Sequence, residues 1–104
     1  MSNGKIYVIV TDDGPFHKDC FLTWTTDSGG YYTTVDYIDE VNEFDFYKSV
    51  KDAEDRAKDA DSGTWGGWQS TMTIMELLNF DDAVNHGEDP DLIPVKTIDF
   101  KKEN

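Results

Sequence analysis

The sequence predicts a single α+β domain, in which an antiparallel sheet of about four to five strands carries one main amphipathic helix on one face. Two observations lead to this fold class. Several runs of strand length, rich in β-branched and aromatic residues, are separated by short turn-forming sequences. One other stretch repeats its apolar residues at helical spacing instead. Short links between strands favour antiparallel pairing, and 104 residues suffice for one hydrophobic core, so residues 1–104 are expected to form one domain.

Three strands are predicted before the helix. Residues 5–11 are almost continuously apolar and β-branched, which is typical of a strand at the centre of a sheet. Residues 21–26 form the second strand, and the Asp-Ser-Gly-Gly sequence at 27–30 forms a hairpin loop. Residues 31–38 form the third strand, with side chains alternating between the two faces of the sheet.

The main helix is predicted over residues 47–60. Ser49 and Asp52 resemble a capping box at its start, because a serine is followed three residues later by an acidic side chain. Lys51 and Asp55, and likewise Asp52 and Arg56, have the spacing of ion pairs along a helix. The apolar residues recur at intervals of four, three, four and three, which places on one core-facing stripe Phe46, Val50, Ala53, Ala57 and Ala60.

The second half of the chain contains two more predicted strands. A glycine-rich loop at 61–68 precedes a strand at 69–78, and a polar stretch at 79–94 contains a short helical turn near 81–85. Residues 95–100 form the last strand. The predicted order is therefore β-β-β-α-β-β, and the sequence leaves open which strands are neighbours.

The net charge of −13 is extreme for a chain of this size and limits the possible ligands. Bare DNA, RNA and anionic membranes would all repel the protein, whereas basic partners would be attracted. Self-repulsion also predicts a stability that rises with salt. No stretch has the length of a membrane span and the first ten residues do not resemble a signal peptide, so we expect a cytoplasmic protein.

Catalytic and metal-binding patterns are weak. Cys20 is the only cysteine, and its pairing with His17 as a nucleophile and base is disfavoured by the surrounding negative charge. Residues 59–63 begin like an EF-hand loop, but Thr64 and Ser70 occupy the positions that need glycine and glutamate. We expect no catalytic residue, no metal and no cofactor.

Acidic residues are concentrated between residues 36 and 61, which hold ten of the 22 carboxylates of the chain. Charges spaced along a rigid element can imitate the regularly spaced phosphates of a nucleic acid, although most acidic surfaces only confer solubility. The candidate partner-binding residues on this basis are Asp36, Asp39, Glu40, Glu43, Asp45, Asp52, Asp55 and Asp59.

Trp65 and Trp68 complete the candidate set. They lie in the glycine-rich loop and either dock on the sheet or are displayed to a partner, where tryptophan is a frequent hot-spot residue. The sequence leaves both possibilities open.

In size, charge and layout the chain resembles the small acidic inhibitors that phages and other mobile elements encode, including anti-CRISPR and anti-restriction proteins and DNA mimics. The resemblance lies in the Lys-Ile-Tyr-Val-Ile-Val opening strand, the Gly-Gly hairpin, the acidic helix around residues 53–57 and the closing strands. It implies a protein that binds and blocks a host enzyme in the host cytoplasm, without cofactor or turnover.

The leading hypothesis is a non-catalytic inhibitor or modulator that binds a basic surface of a nucleic-acid-processing protein, without binding nucleic acid or membrane directly. The first alternative is a structural or assembly protein that pairs through strand edges or forms a homodimer, using residues 5–11 or 70–78 if either strand lies at an edge. The second alternative is a small enzyme or cation-binding module centred on Asp12, Asp13, His17 and Cys20.

Overall fold

Five strands and one long helix make up the architecture in the computed structural model, which describes residues 4–12, 19–26, 29–63 and 71–100. The strands are β1 (Ile6–Asp12), β2 (Asp19–Thr25), β3 (Tyr31–Val35), β4 (Thr71–Leu77) and β5 (Leu92–Asp99), and the helix is α1 (Val50–Gly63). The α+β class and the β-β-β-α-β-β order are confirmed. Among the described residues, no helix is long and apolar enough to cross a membrane.

The sheet is entirely antiparallel, with the strand order β3-β2-β1-β4-β5. β1 is the middle strand, as its continuous apolar sequence predicts. The assembly hypothesis requires that residues 5–11 or residues 70–78 lie at an edge of the sheet. This strand order places both β1 and β4 inside the sheet instead. The described edges are β3 and β5. β5 accommodates Pro94, which lacks a backbone N–H, next to a register shift between Ile74 and Met75.

One face of the sheet is covered by α1. The alanines of the predicted stripe, Ala53, Ala57 and Ala60, are fully buried, and their small side chains bring the helix close to Ile9 and Ile74. The stripe is confirmed for these residues. The helix begins later than predicted because Ser49 ends the preceding segment, and its Oγ accepts a hydrogen bond from the backbone N–H of Asp52 at 3.1 Å.

The opposite face is covered by short segments. Two 3₁₀ turns, Ile38–Glu40 and Glu43–Asp45, and one turn of π-helix, Asp81–Asn85, lie between the regular elements. Ile38, Val41 and Ala83 pack there against the second apolar cluster of the sheet. Strand β3 ends at Val35 rather than at 38 because the chain turns to bury Ile38. Phe46 also packs on this face, edge-on to Phe80, and is not part of the helical stripe.

β1 and β2 pair over only part of their length. Their register runs from Val10–Phe21 to Asp12–Asp19. Near the start of β1, Tyr7 instead exchanges two backbone hydrogen bonds with Tyr47, at 2.7 and 2.8 Å. Residues 42–47, here called the wedge segment, therefore lie beside β1 where β2 has moved away. The wedge segment is in this way tied to the sheet at Tyr47.

Candidate functional site

The predicted acidic residues divide between two depressions of the surface. The first, called the acidic cavity, has a volume of about 670 Å³. Its walls come from the segment after β3 and from the loop after the π-helical turn. None of the described residues around it is a lysine or an arginine, and the carboxylates that line it are Asp36, Asp39, Glu40, Glu88 and Asp89.

The second depression, called the acidic groove, lies between the wedge segment and the first turns of α1 and has a volume of about 560 Å³. Helical periodicity places the carboxylates of Asp52, Asp55 and Asp59 along one side. Glu43 adds a fourth, and the basic residues among the described part of the groove lining are Lys48 and Arg56. The sequence predicts every carboxylate of the cavity and the groove as a partner-binding candidate except Glu88 and Asp89.

Asp45 is the exception among the predicted acidic residues, because it is only 1% exposed. Its carboxylate is therefore no part of the acidic surface. It accepts hydrogen bonds from four donors: the Thr23 hydroxyl at 2.9 Å, the Trp24 backbone N–H at 2.8 Å, the Tyr47 hydroxyl at 2.8 Å and Arg56 Nε at 3.1 Å. Burial of a carboxylate is tolerated when its lone pairs are satisfied in this way.

Arg56 does not form the ion pair with Asp52 that its spacing allows. Its side chain turns inward to Asp45, and its guanidinium lies 5.2 Å from the centre of the Tyr32 ring. The charge of Arg56 is thus balanced by a carboxylate that does not belong to the groove. The predicted ion pair between Lys51 and Asp55 is confirmed. Lys51 Nζ lies 3.0 Å from Asp55 Oδ2, and both side chains are exposed.

Asp59 is tied to the sheet as well as exposed to the groove. The Tyr32 hydroxyl, on edge strand β3, donates a hydrogen bond to Asp59 Oδ2. Burial, this hydrogen bond and the nearby negative charge together raise the pKa of Tyr32 to about 12. Glu54, one turn away, pairs with Lys96 on β5. The helix is in this way bound to both edges of the sheet through its acidic residues.

Two exposed aromatic residues accompany the carboxylates and were not singled out by the sequence. Phe44 is 74% exposed and lines the acidic groove, while Tyr37 is 68% exposed and lines the acidic cavity. Phe44 lies directly between Glu43 and Asp45, outside the predicted helix and strands, and this is the signal that could have identified it. Tyr37, by contrast, falls within the strand predicted at 31–38, which ends at Val35 in the structure. The predicted aromatic residues Trp65 and Trp68 lie outside the described residues.

The residues of the catalytic or cation-binding alternative are not assembled by the described part of the chain. Cys20 is buried, and its thiol donates to Asp36 Oδ1 at 3.4 Å. Asp12 ends β1, and Asp13 and His17 lie outside the described residues. A different group, Asp81, Asp82 and His86, comes together at the exposed π-helical turn with potential ligand atoms within 4.8 Å of one another.

Sequence reasoning missed this last group because its histidine stands alone in a polar stretch. His86 Nε2 lies 3.5 Å from Asp81 Oδ2, and Asp81 also accepts a hydrogen bond from Asn85. The contacts are those of an exposed turn closing on itself.

Comparisons of the chain with models of protein families, with curated proteins and with solved structures find no match.

Proposed function

We propose that this protein is a non-catalytic inhibitor that binds the basic surface of a nucleic-acid-processing host protein and competes there with nucleic acid. The observation that carries the proposal is the acidic cavity and the acidic groove together. Among the residues that the structure describes, they are lined by nine carboxylates and by two basic side chains, those of Lys48 and Arg56. Asp45 already balances Arg56, and Lys51 pairs with Asp55, so the carboxylates of this surface still outnumber the cations beside them.

The carboxylates are carried by anchored elements. The helix is capped by Ser49 and packed on the sheet through three buried alanines, so the positions of Asp52, Asp55 and Asp59 are set by a rigid backbone. Along the axis, steps of three and four residues correspond to about 4.5 and 6 Å. Phosphates follow one strand of a duplex every ~3.4 Å of its axis. The likeness to nucleic acid is therefore one of charge density.

A surface of this kind acts first on the rate of association. Negative potential steers a basic partner toward the inhibitor, and the effect weakens as salt screens it. Complementary charge also supplies selectivity against neutral and acidic proteins. In the host cytoplasm the proteins with the largest basic surfaces include those that bind DNA or RNA, and we propose that such a protein is the target, as the resemblance to phage-encoded inhibitors implies.

The test is affinity capture with the immobilised protein. Nuclease-treated bacterial lysate is passed over it, and bound proteins are eluted either by a salt gradient or by duplex DNA. The proposal expects a stoichiometric nucleic-acid-binding protein that both DNA and moderate salt release. A bound protein that resists both would overturn competition with nucleic acid as the mechanism.

Matched variants make the capture specific to the candidate surface. Neutralising the groove (Glu43→Gln, Asp52→Asn, Asp55→Asn) is expected to weaken binding and to flatten its salt dependence. An equal charge change at exposed residues that line neither depression (Asp81→Asn, Asp82→Asn, Asp91→Asn) serves as the control and is expected to have a much smaller effect. Equal losses in the two variants would mean that only net charge matters.

Assembly through a strand edge is the second candidate, supported by the exposed Ile93 and Val95 on β5. Pro94 lies between these two residues and Lys96 follows Val95. Proline and lysine are both residues that typically protect an edge strand from pairing. A dimer in sedimentation experiments that is insensitive to salt would favour this candidate. A strict monomer would count against it.

A further inference from the structure

Phe44 is held outward by a turn whose backbone is anchored to β2. The Asn42 backbone N–H donates to Thr23 Oγ1 at 2.8 Å, and the Asn42 side-chain amide donates to the Trp24 carbonyl at 3.3 Å. Asn42 Oδ1 in turn accepts the backbone N–H of Phe44 at 3.0 Å. On the other side of Phe44 stands the buried Asp45 with its four hydrogen-bond donors.

This anchoring distinguishes Phe44 from an aromatic residue on a loose loop. A large apolar ring that is 74% exposed adds little to the core, and the hydrogen-bonded turn fixes the backbone from which it projects. The two residues that follow it, Asp45 and Phe46, both point inward. The ring is thus displayed in a defined place, at the wall of a groove that carries four carboxylates.

An arginine side chain is the ligand that this combination fits. Its guanidinium is planar, so it can stack on an aromatic face while its N–H groups donate to carboxylates at the edge. A lysine ammonium offers the charge without the flat surface and is more strongly hydrated. The protein already contains such an arrangement, because Arg56 lies over the Tyr32 ring and binds the Asp45 carboxylate.

We infer that the acidic groove takes an arginine side chain of the partner, with the guanidinium over the Phe44 ring and its N–H groups on the groove carboxylates. The inference rests on the proposed function and specifies it: the partner's basic surface presents arginine at the contact, and Phe44 is the residue that selects arginine over lysine. Arg56 is held inward by Asp45, which leaves the outer part of the groove to the incoming cation.

The probes are fluorescently labelled oligo-arginine and oligo-lysine peptides of equal length, titrated with the full chain at several salt concentrations. We expect the arginine peptide to bind at least about threefold more tightly, because the planar and weakly hydrated guanidinium stacks on the ring better than an ammonium does. Phe44→Ala should reduce the preference to near one while leaving the salt dependence unchanged. Tyr31→Ala is the control, because Tyr31 is an exposed aromatic residue outside the groove, on β3. This variant should keep the preference for the arginine peptide.

Each outcome decides the inference. Equal affinity for the two peptides, or a preference that survives Phe44→Ala, overturns it. A preference lost in Tyr37→Ala instead also overturns it, since the arginine would then lie in the acidic cavity. Circular dichroism and thermal unfolding of each variant verify that the fold is intact, as expected for exposed positions.

The same titrations separate this inference from the proposed function. If both peptides bind equally and the groove variant (Glu43→Gln, Asp52→Asn, Asp55→Asn) weakens both, arginine selection fails and the acidic surface stands. If the groove variant binds both peptides as tightly as the wild type does, the acidic groove itself fails as a binding surface.

Discussion

The Asp45 carboxylate accepts the backbone N–H of Trp24 at 2.8 Å, twenty-one residues earlier in the chain. The pairing of β1 and β2 ends before Trp24, so the carboxylate supplies the acceptor there that a neighbouring strand would otherwise provide. The same side chain binds Arg56 of the helix. One buried carboxylate therefore connects β2, the wedge segment and α1, and with them the two walls of the acidic groove.

Replacing Asp45 is expected to be the most destabilising change in the acidic stretch. Asp45→Ala would leave four donors without their acceptor and Arg56 without its counter-ion, at a cost of about 3–5 kcal/mol. Urea unfolding at constant pH measures this. Asp55→Asn, at an exposed ion pair with Lys51, is the control and should leave the free energy of unfolding close to that of the wild type. Similar losses in the two variants would contradict the role of Asp45.

The start of the helix depends on a single cap. Ser49 Oγ accepts the N–H of Asp52, one of the donors at the helix start that have no partner within the helix. Ser49→Ala should therefore lower the free energy of unfolding by about 1 kcal/mol, and Ser49→Asp should largely keep it. Thermal and urea unfolding of the two variants provide the comparison. Equal stability of Ser49→Ala and the wild type would exclude a capping contribution.

Periodic features of the fold could be predicted from the sequence because they are local. The alanines at 53, 57 and 60 repeat with the helical period, and they are buried as that period requires. The continuous apolar run of β1 likewise predicted its central place in the sheet. In both cases, neighbours along the chain carry the information, and the tertiary structure agrees with it.

The wedge segment could not be predicted in this way. Asp45 looks like its acidic neighbours by composition, and its burial depends on contacts with Thr23, Trp24 and Arg56, which are 22, 21 and 11 residues away. The available signal is its position among Phe44, Phe46 and Tyr47, where a charged residue needs partners. The exposure of Phe44 follows from the same turn. The sequence could therefore predict the carboxylates of the groove but not its aromatic residue.

Salt should stabilise the protein. The net charge of −13 opposes compaction, and screening shortens the range of repulsion from about 10 Å at 0.1 M to about 3 Å at 1 M ionic strength. A gain on the order of 1 kcal/mol would raise the melting temperature by about 4–8 °C. Calorimetry in increasing sodium chloride tests this, and the variant Asp81→Asn, Asp82→Asn, Asp91→Asn should respond less. A melting temperature that falls with salt would contradict it.

Alkaline pH should destabilise the protein through Tyr32. The unfolded chain releases this proton near the ordinary tyrosine pKa of 10.0, whereas burial and the hydrogen bond to Asp59 raise the pKa of Tyr32 to about 12 in the folded protein. Between these values the folded state holds more protons, so the free energy of unfolding falls as pH rises. Burial and the Asp45 charge also raise the pKa of Tyr47, which adds to the same trend.

Tyrosinate absorbance and urea unfolding across pH 10 to 12 provide the two measurements. Tyr32→Phe should remove the absorbance component centred at about pH 12 and reduce the loss of stability over this range, because the group that titrates is gone. Tyr31→Phe, at the exposed neighbour on the same strand, is the matched control and should leave that component in place. A wild-type protein in which Tyr32 ionised near pH 10.0 would contradict both the burial of this hydroxyl and its hydrogen bond to Asp59.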